Sequence, residues 1–95
     1  MPSIGVLTME LRLDESHSLK EKRHLVQSLR DRLRHKFNVS VAEIDHQDTW
    51  QRSTLAAVTV ASDHTIAGKV LQSVEDEAAS LAGSALVSAN VEWIE

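Results

Sequence analysis

The chain of 95 residues has no cysteine and no tyrosine, a single proline, and only one phenylalanine and two tryptophans. Without cysteine there is no disulfide staple, no thiolate metal site and no cysteine nucleophile, and a reducing compartment is the consistent setting. Its three glycines, Gly5, Gly68 and Gly83, are far apart. They therefore build no glycine-rich phosphate cradle and no G-x-x-G loop of the KH type. No apolar run approaches the roughly 18 residues of a membrane span, and no basic stretch followed by an apolar one marks a secretion signal. A soluble, cytoplasmic protein is expected, with neither a membrane nor DNA as partner.

The pattern that is present is regular. Residues 3–13 alternate, with Leu7, Met9, Leu11 and Leu13 facing one way and Ile4, Val6, Thr8, Glu10 and Arg12 the other. That predicts a strand. Ser18 and Glu21 stand in capping-box spacing, and Leu19, Val26, Leu29, Leu33 and Phe37 follow on one helical sector with Leu25 at its edge. A second strand is predicted over 38–45 and a polar turn over 46–53. Residues 54–62, apolar on both faces, predict a central strand. Ser62 or Asp63 can cap a second helix whose stripe is Ile66, Val70, Leu71, Val74, Ala78 and Leu81. Gly68 weakens that helix by about 1 kcal/mol relative to alanine, and Gly83 is placed to end it. Residues 85–94 alternate again through Ala85, Val87, Ala89, Val91 and Trp93.

The order β-α-β-β-α-β predicts one α+β domain over 1–95. Its form is the ferredoxin-like split β-α-β, a four-stranded antiparallel sheet with two helices on one face and the first and third strands central. The other face carries Ile4, Val6, Ala56, Val58 and Val60 with nothing to cover it, which points to a homodimer.

Charge is unevenly placed. Residues 18–37 hold seven of the ten Lys+Arg against two acids, +5; the remaining three bases and twelve acids leave −9 elsewhere, and the net is −4. Lys20, Lys22 and Arg23 open the helix, where the macrodipole is already positive. Cations there cost stability, and an anion site is one reason to keep them. Lys22 falls within the apolar sector, so its stem is expected to pack while its ammonium reaches solvent past the sheet edge. Lys20, Arg23, Gln27, Arg30 and Arg34 recur at alternating three- and four-residue steps, a row that can track a phosphate backbone. The blander alternative is a solvated face neutralised by Asp14, Glu15, Glu21 and Asp31.

Recognition of RNA by base stacking on the sheet is argued against, because the central strands carry no aromatic residue. The polar turn holds Asp45, His46 and Asp48, whose spacing matches no standard metal site. Trp50 is expected to fold onto the sheet or a partner subunit, and Arg52 to pair with Asp45 or Asp48 across the hairpin. No metal, no cofactor and no catalytic residue is expected; the five histidines form no catalytic or zinc motif, and the acidic segment after the first strand would repel a phosphate.

Three stretches, HSLKEKRHLVQSLRDRLRHKFNVSVAEID (17–45), DHQDTWQR (45–52) and the third strand with its following SDH, resemble the YlxP-like family. These are small bacterial proteins filed as domain of unknown function 503. The resemblance covers nearly the whole chain, with the S-L-K-E-K-R and W-Q-R segments its specific parts. It implies the ferredoxin-like fold and a gene placed among translation and ribosome-maturation genes. It implies no activity and assigns no catalytic residue. The expectation is then a non-enzymatic dimeric binding module. Its basic helix (Lys20, Lys22, Arg23, Arg30, Arg34) would contact structured RNA or a ribosomal subunit, and its interface would include Ile4, Val6, Trp50, Arg52, Val58 and Val60. The alternatives are a small-anion or metabolite-sensing domain, with the anion between Lys20, Lys22, Arg23 and the Trp50 turn, or a protein-binding adaptor.

Overall fold

Four strands and two helices, described over residues 1–94 of the computed structural model, follow the predicted order. They are β1 (Ser3–Arg12), α1 (Leu19–Lys36), β2 (Ser40–Asp45), β3 (Arg52–Ala61), α2 (His64–Ala82) and β4 (Leu86–Ile94), with a 3-10 turn at Gly83–Ala85 before β4. The sheet is antiparallel in the order β2-β3-β1-β4. β1 and β3 are central, as the two-sided apolar character of β3 requires.

One core forms because the inward residues of the sheet and the apolar stripes of both helices meet. Leu7, Met9, Leu11, Val41, Leu55 and Ala57 lie under Val26, Leu29 and Leu33 of α1 and Leu71, Val74 and Ala78 of α2. Each fully buried leucine contributes about 1.5–3 kcal/mol relative to exposure. Both helix starts are side-chain capped. The Ser18 hydroxyl accepts from the Glu21 N–H at 3.1 Å, and Asp63 accepts from the Ile66 N–H at 2.9 Å. The Glu21 carboxylate reaches back one residue further than in the usual box and accepts from the His17 N–H at 2.8 Å. α2 ends at Gly83, whose φ of 57° belongs to a region side chains disfavour.

Four side chains of the predicted stripes are exposed, Ile66, Leu81, Val87 and Val91. Ile66 and Leu81 are about half exposed, because α2 buries Ala67, Leu71, Val74 and Ala78 instead. Small residues at 67 and 78 let the helix lie close on the sheet, which rotates Ile66 and Leu81 outward. Val87 is exposed because the β1–β4 register shifts beside Glu10 and Leu11, leaving it as the extra residue of a bulge.

Candidate functional site

The seven bases of α1 divide into those used inside the protein and those left outside. Lys22 is fully buried. Its ammonium lies 2.6 Å from Glu43 Oε2 and donates to the carbonyls of His46 at 2.6 Å and Gln47 at 3.3 Å. The Ser53 hydroxyl donates to the same Glu43 oxygen at 2.6 Å. The expectation of a snorkelling ammonium in an anion site is therefore corrected. Glu43 sits at an inward position of β2, opposite Leu55, and meets the ammonium before solvent does. This removes Lys22 from any surface anion site.

The contact fixes the turn between β2 and β3. His46 has φ 63°, a left-handed conformation that costs a side-chain-bearing residue about 1–2 kcal/mol. It is held by its N–H donating to Asp45 Oδ1, and by its carbonyl accepting from Thr49 N–H and Lys22. Gln51 adds a second tie: its side-chain amide donates to the Ser16 carbonyl at 3.3 Å, and its own carbonyl accepts from the Leu13 N–H. The S-L-K-E-K-R and W-Q-R segments thus bind to each other's neighbourhoods across the end of the sheet.

Arg32 and Lys36 are committed to α2. They pair with the two oxygens of Glu77 at 3.1 and 2.7 Å. The Lys36 hydrogen bond holds the Glu77 carboxyl below the usual glutamate range; partial desolvation opposes it, and the Arg32 hydrogen bond and the two positive charges add smaller lowering effects. A carboxylate whose folded pKa is depressed adds stability above its unfolded pKa and loses it as pH falls through the folded value. Glu77→Gln is accordingly expected to lower Tm near neutral pH and to match wild type once acid has protonated Glu77, as a pH series of thermal melts will show.

Lys20, Arg23, Arg30 and Arg34 remain. They run along the flank of α1 opposite the Arg32 and Lys36 side, toward edge strand β2. From Lys20 to Arg34 the row spans about 21 Å at 1.5 Å per residue. Asp31 is the acid beside it, 3.5 Å from Arg30 Nε and 3.8 Å from Arg34. These are ion-pair distances, but Arg30 Nε makes no aligned hydrogen bond. Asp31 thus offsets part of the charge of Arg30 and Arg34, while the salt bridges of α1 involve neither Lys20 nor Arg23 among the described residues.

The proposed interface residues do not gather in one place. Ile4, Val6, Val58 and Val60 share one end of the uncovered sheet face, with Ile94 beside Ile4. Val60 is 55% exposed and Val58 36%. Trp50 is half exposed in the turn. Arg52 stands opposite Arg12 at the other end of the face, and among the described residues it pairs with neither Asp45 nor Asp48, because Asp45 turns back to cap the His46 N–H. A half-open cavity of about 920 Å³ lies between the end of β1, α1 and the end of α2, lined by Leu11, Leu25, Leu29 and Leu81 among others. None of the candidate cations lines it, so it is not the anion pocket of the sensing alternative. Among the described residues no three His, Cys, Asp or Glu side chains assemble as metal ligands. Nor is any helix long and apolar enough to cross a membrane.

Fold and site together define a ferredoxin-like α+β domain with an outward cationic helix flank and a cross-tied turn. The chain belongs to the family described as protein of unknown function DUF503, whose profile matches residues 4–91. It is 41% identical over 71 residues to the uncharacterized protein YlxP of Bacillus subtilis (strain 168), covering 75% of this chain and 77% of that one. Among solved structures it resembles the de novo designed protein Foldit4, at a TM-score of 0.59 and 10% identity, covering 100% and 98% of the two chains. It also resembles the de novo designed ferredoxin-fold protein LFR1 1, at 0.54 and 11%, covering 99% and 84%. Likeness to designed proteins at such identities speaks to the fold alone.

Proposed function

We propose that this protein is a non-enzymatic binding module whose α1 flank contacts the phosphates of structured RNA, with a place in ribosome assembly or translation. The observation that carries the reading is the division of charge on α1. Three bases are consumed by Glu43 and Glu77, while Lys20, Arg23, Arg30 and Arg34 form an outward row beside Asp31. Because the central strands offer no aromatic platform, recognition runs through phosphates and shape, with little sequence preference. The acidic remainder of the body repels RNA and turns the basic flank toward it.

The test is fluorescence anisotropy with labelled ribosomal RNA fragments at two salt concentrations. Four phosphate contacts predict a log–log salt slope of about −3 to −4. Arg30→Glu/Arg34→Glu should flatten that slope and weaken binding at every salt. Absence of binding at about 50 mM salt, where such contacts are strongest, would remove the reading.

A further inference from the structure

β4 ends the sheet with an uncovered hydrogen-bonding edge. Edge strands are normally blunted by shortness, charge, proline or a bulge. β2, the opposite edge, follows that rule with six residues, two acids in Glu43 and Asp45, and a register shift between them. β4 does not: it has nine residues, no proline and one charge, Glu92. Its own bulge lies near one end and leaves residues 88–94 regular. On the helix side Val91 is 39% exposed, because α2 lies mainly over β1 and β3.

We propose that this edge pairs antiparallel with β4 of a second copy of the chain, giving a continuous eight-stranded sheet with its two-fold axis at Val91. Self-pairing must match residues that point to the same face. The register that uses all seven regular residues sets Val91 against its own copy and Ala89 against Trp93 on the helix side. On the other side it sets Asn90 against Glu92 and Ser88 against Ile94. No like charges oppose each other. A two-fold axis at Glu92 would bring two carboxylates face to face, which is disfavoured. An axis at Asn90 would pair only residues 88–92 of the regular stretch. Glu92 and the bulge together therefore select one register. The contact is isologous, as a closed dimer requires. It holds the two α1 flanks at the outer ends of the sheet, with the two β2 strands about 34 Å apart at about 4.8 Å per strand.

The absence of native cysteine makes the test clean. Residues opposed across an antiparallel pair have Cα atoms about 4.5–5.5 Å apart, inside the disulfide window of about 4.4–6.8 Å. Purified Val91→Cys should oxidise to a disulfide-linked dimer, while Val58→Cys on the uncovered sheet face should not. Wild type should sediment as a dimer at about 100 µM. Val91→Lys should sediment as a monomer with an unchanged circular dichroism spectrum. A monomeric wild type, a dimer that Val91→Lys leaves intact, or cross-linking through Val58→Cys in place of Val91→Cys would each overturn the proposal.

Discussion

Lys22→Ala is expected to cost about 3–5 kcal/mol of folding stability, the range for stranding one partner of a buried ion pair. The lower half of that range applies, because Glu43 keeps 19% exposure and the Ser53 hydroxyl. Two further losses act in the same direction. The Gln47 carbonyl gives up its charged donor, and His46, held at φ 63°, loses one of the contacts that stabilise that conformation. Chemical denaturation followed by circular dichroism measures the loss directly. In a domain of this size each kcal/mol lowers Tm by about 4–8 °C. A cost below about 1 kcal/mol, the level of an exposed pair, would show that the cross-tie is incidental. The double variant Lys22→Met/Glu43→Leu should recover much of the loss, since an apolar pair often replaces a buried ion pair at little net cost.

The same substitution separates structure from binding. Lys22 belongs to the cationic helix in sequence but not to its outward row in space. Lys22→Met, studied where it remains folded, should therefore leave the RNA salt slope unchanged, while Arg30→Glu/Arg34→Glu should flatten it at little cost to stability. The reverse pattern would place the anion site at the helix start.

What was legible in the sequence was local. The alternation of β1, the helical spacing of Val26, Leu29 and Leu33, and the caps Ser18 and Asp63 each depend on neighbours within a few residues, and each lies where the pattern puts it. What was not legible depends on register between distant segments. Lys22 visibly falls in an apolar sector, but its partner is 21 positions away on another element. A signal existed: alternation with Val41 turns Glu43 inward, so two opposite charges point into one layer. The partner of Arg32 and Lys36 is as remote, because Glu77 lies on the second helix. The bulge that exposes Val87 leaves no trace in an uninterrupted alternation. Trp93 falls in the alternation of the last strand, but nothing local shows that it pairs with Gly5 and stacks on His64 at 4.2 Å.

That tryptophan gives two glycines opposite fates. Gly5 lies on the inward side of β1, opposite Trp93. A Cβ there would stand 2.7 Å from Leu71 Cδ1 and 3.0 Å from the Trp93 ring. Leu71 is 1% exposed, so it has no free space to swing into. Gly5→Ala is expected to cost about 1–3 kcal/mol, as overpacking of a filled core does. Gly68 approaches the same ring from α2, but a Cβ there would be 4.0 Å from it, an ordinary contact. Gly68→Ala should instead stabilise the protein by about 0.5–1 kcal/mol, by removing glycine's entropy from a helix interior. Denaturation midpoints of the two variants should therefore move in opposite directions. Gly5→Ala combined with Leu71→Ala should cost less than the sum of the single changes, because the cavity left by one relieves the crowding of the other. An additive result would mean that the added methyl crowds the Trp93 ring rather than Leu71.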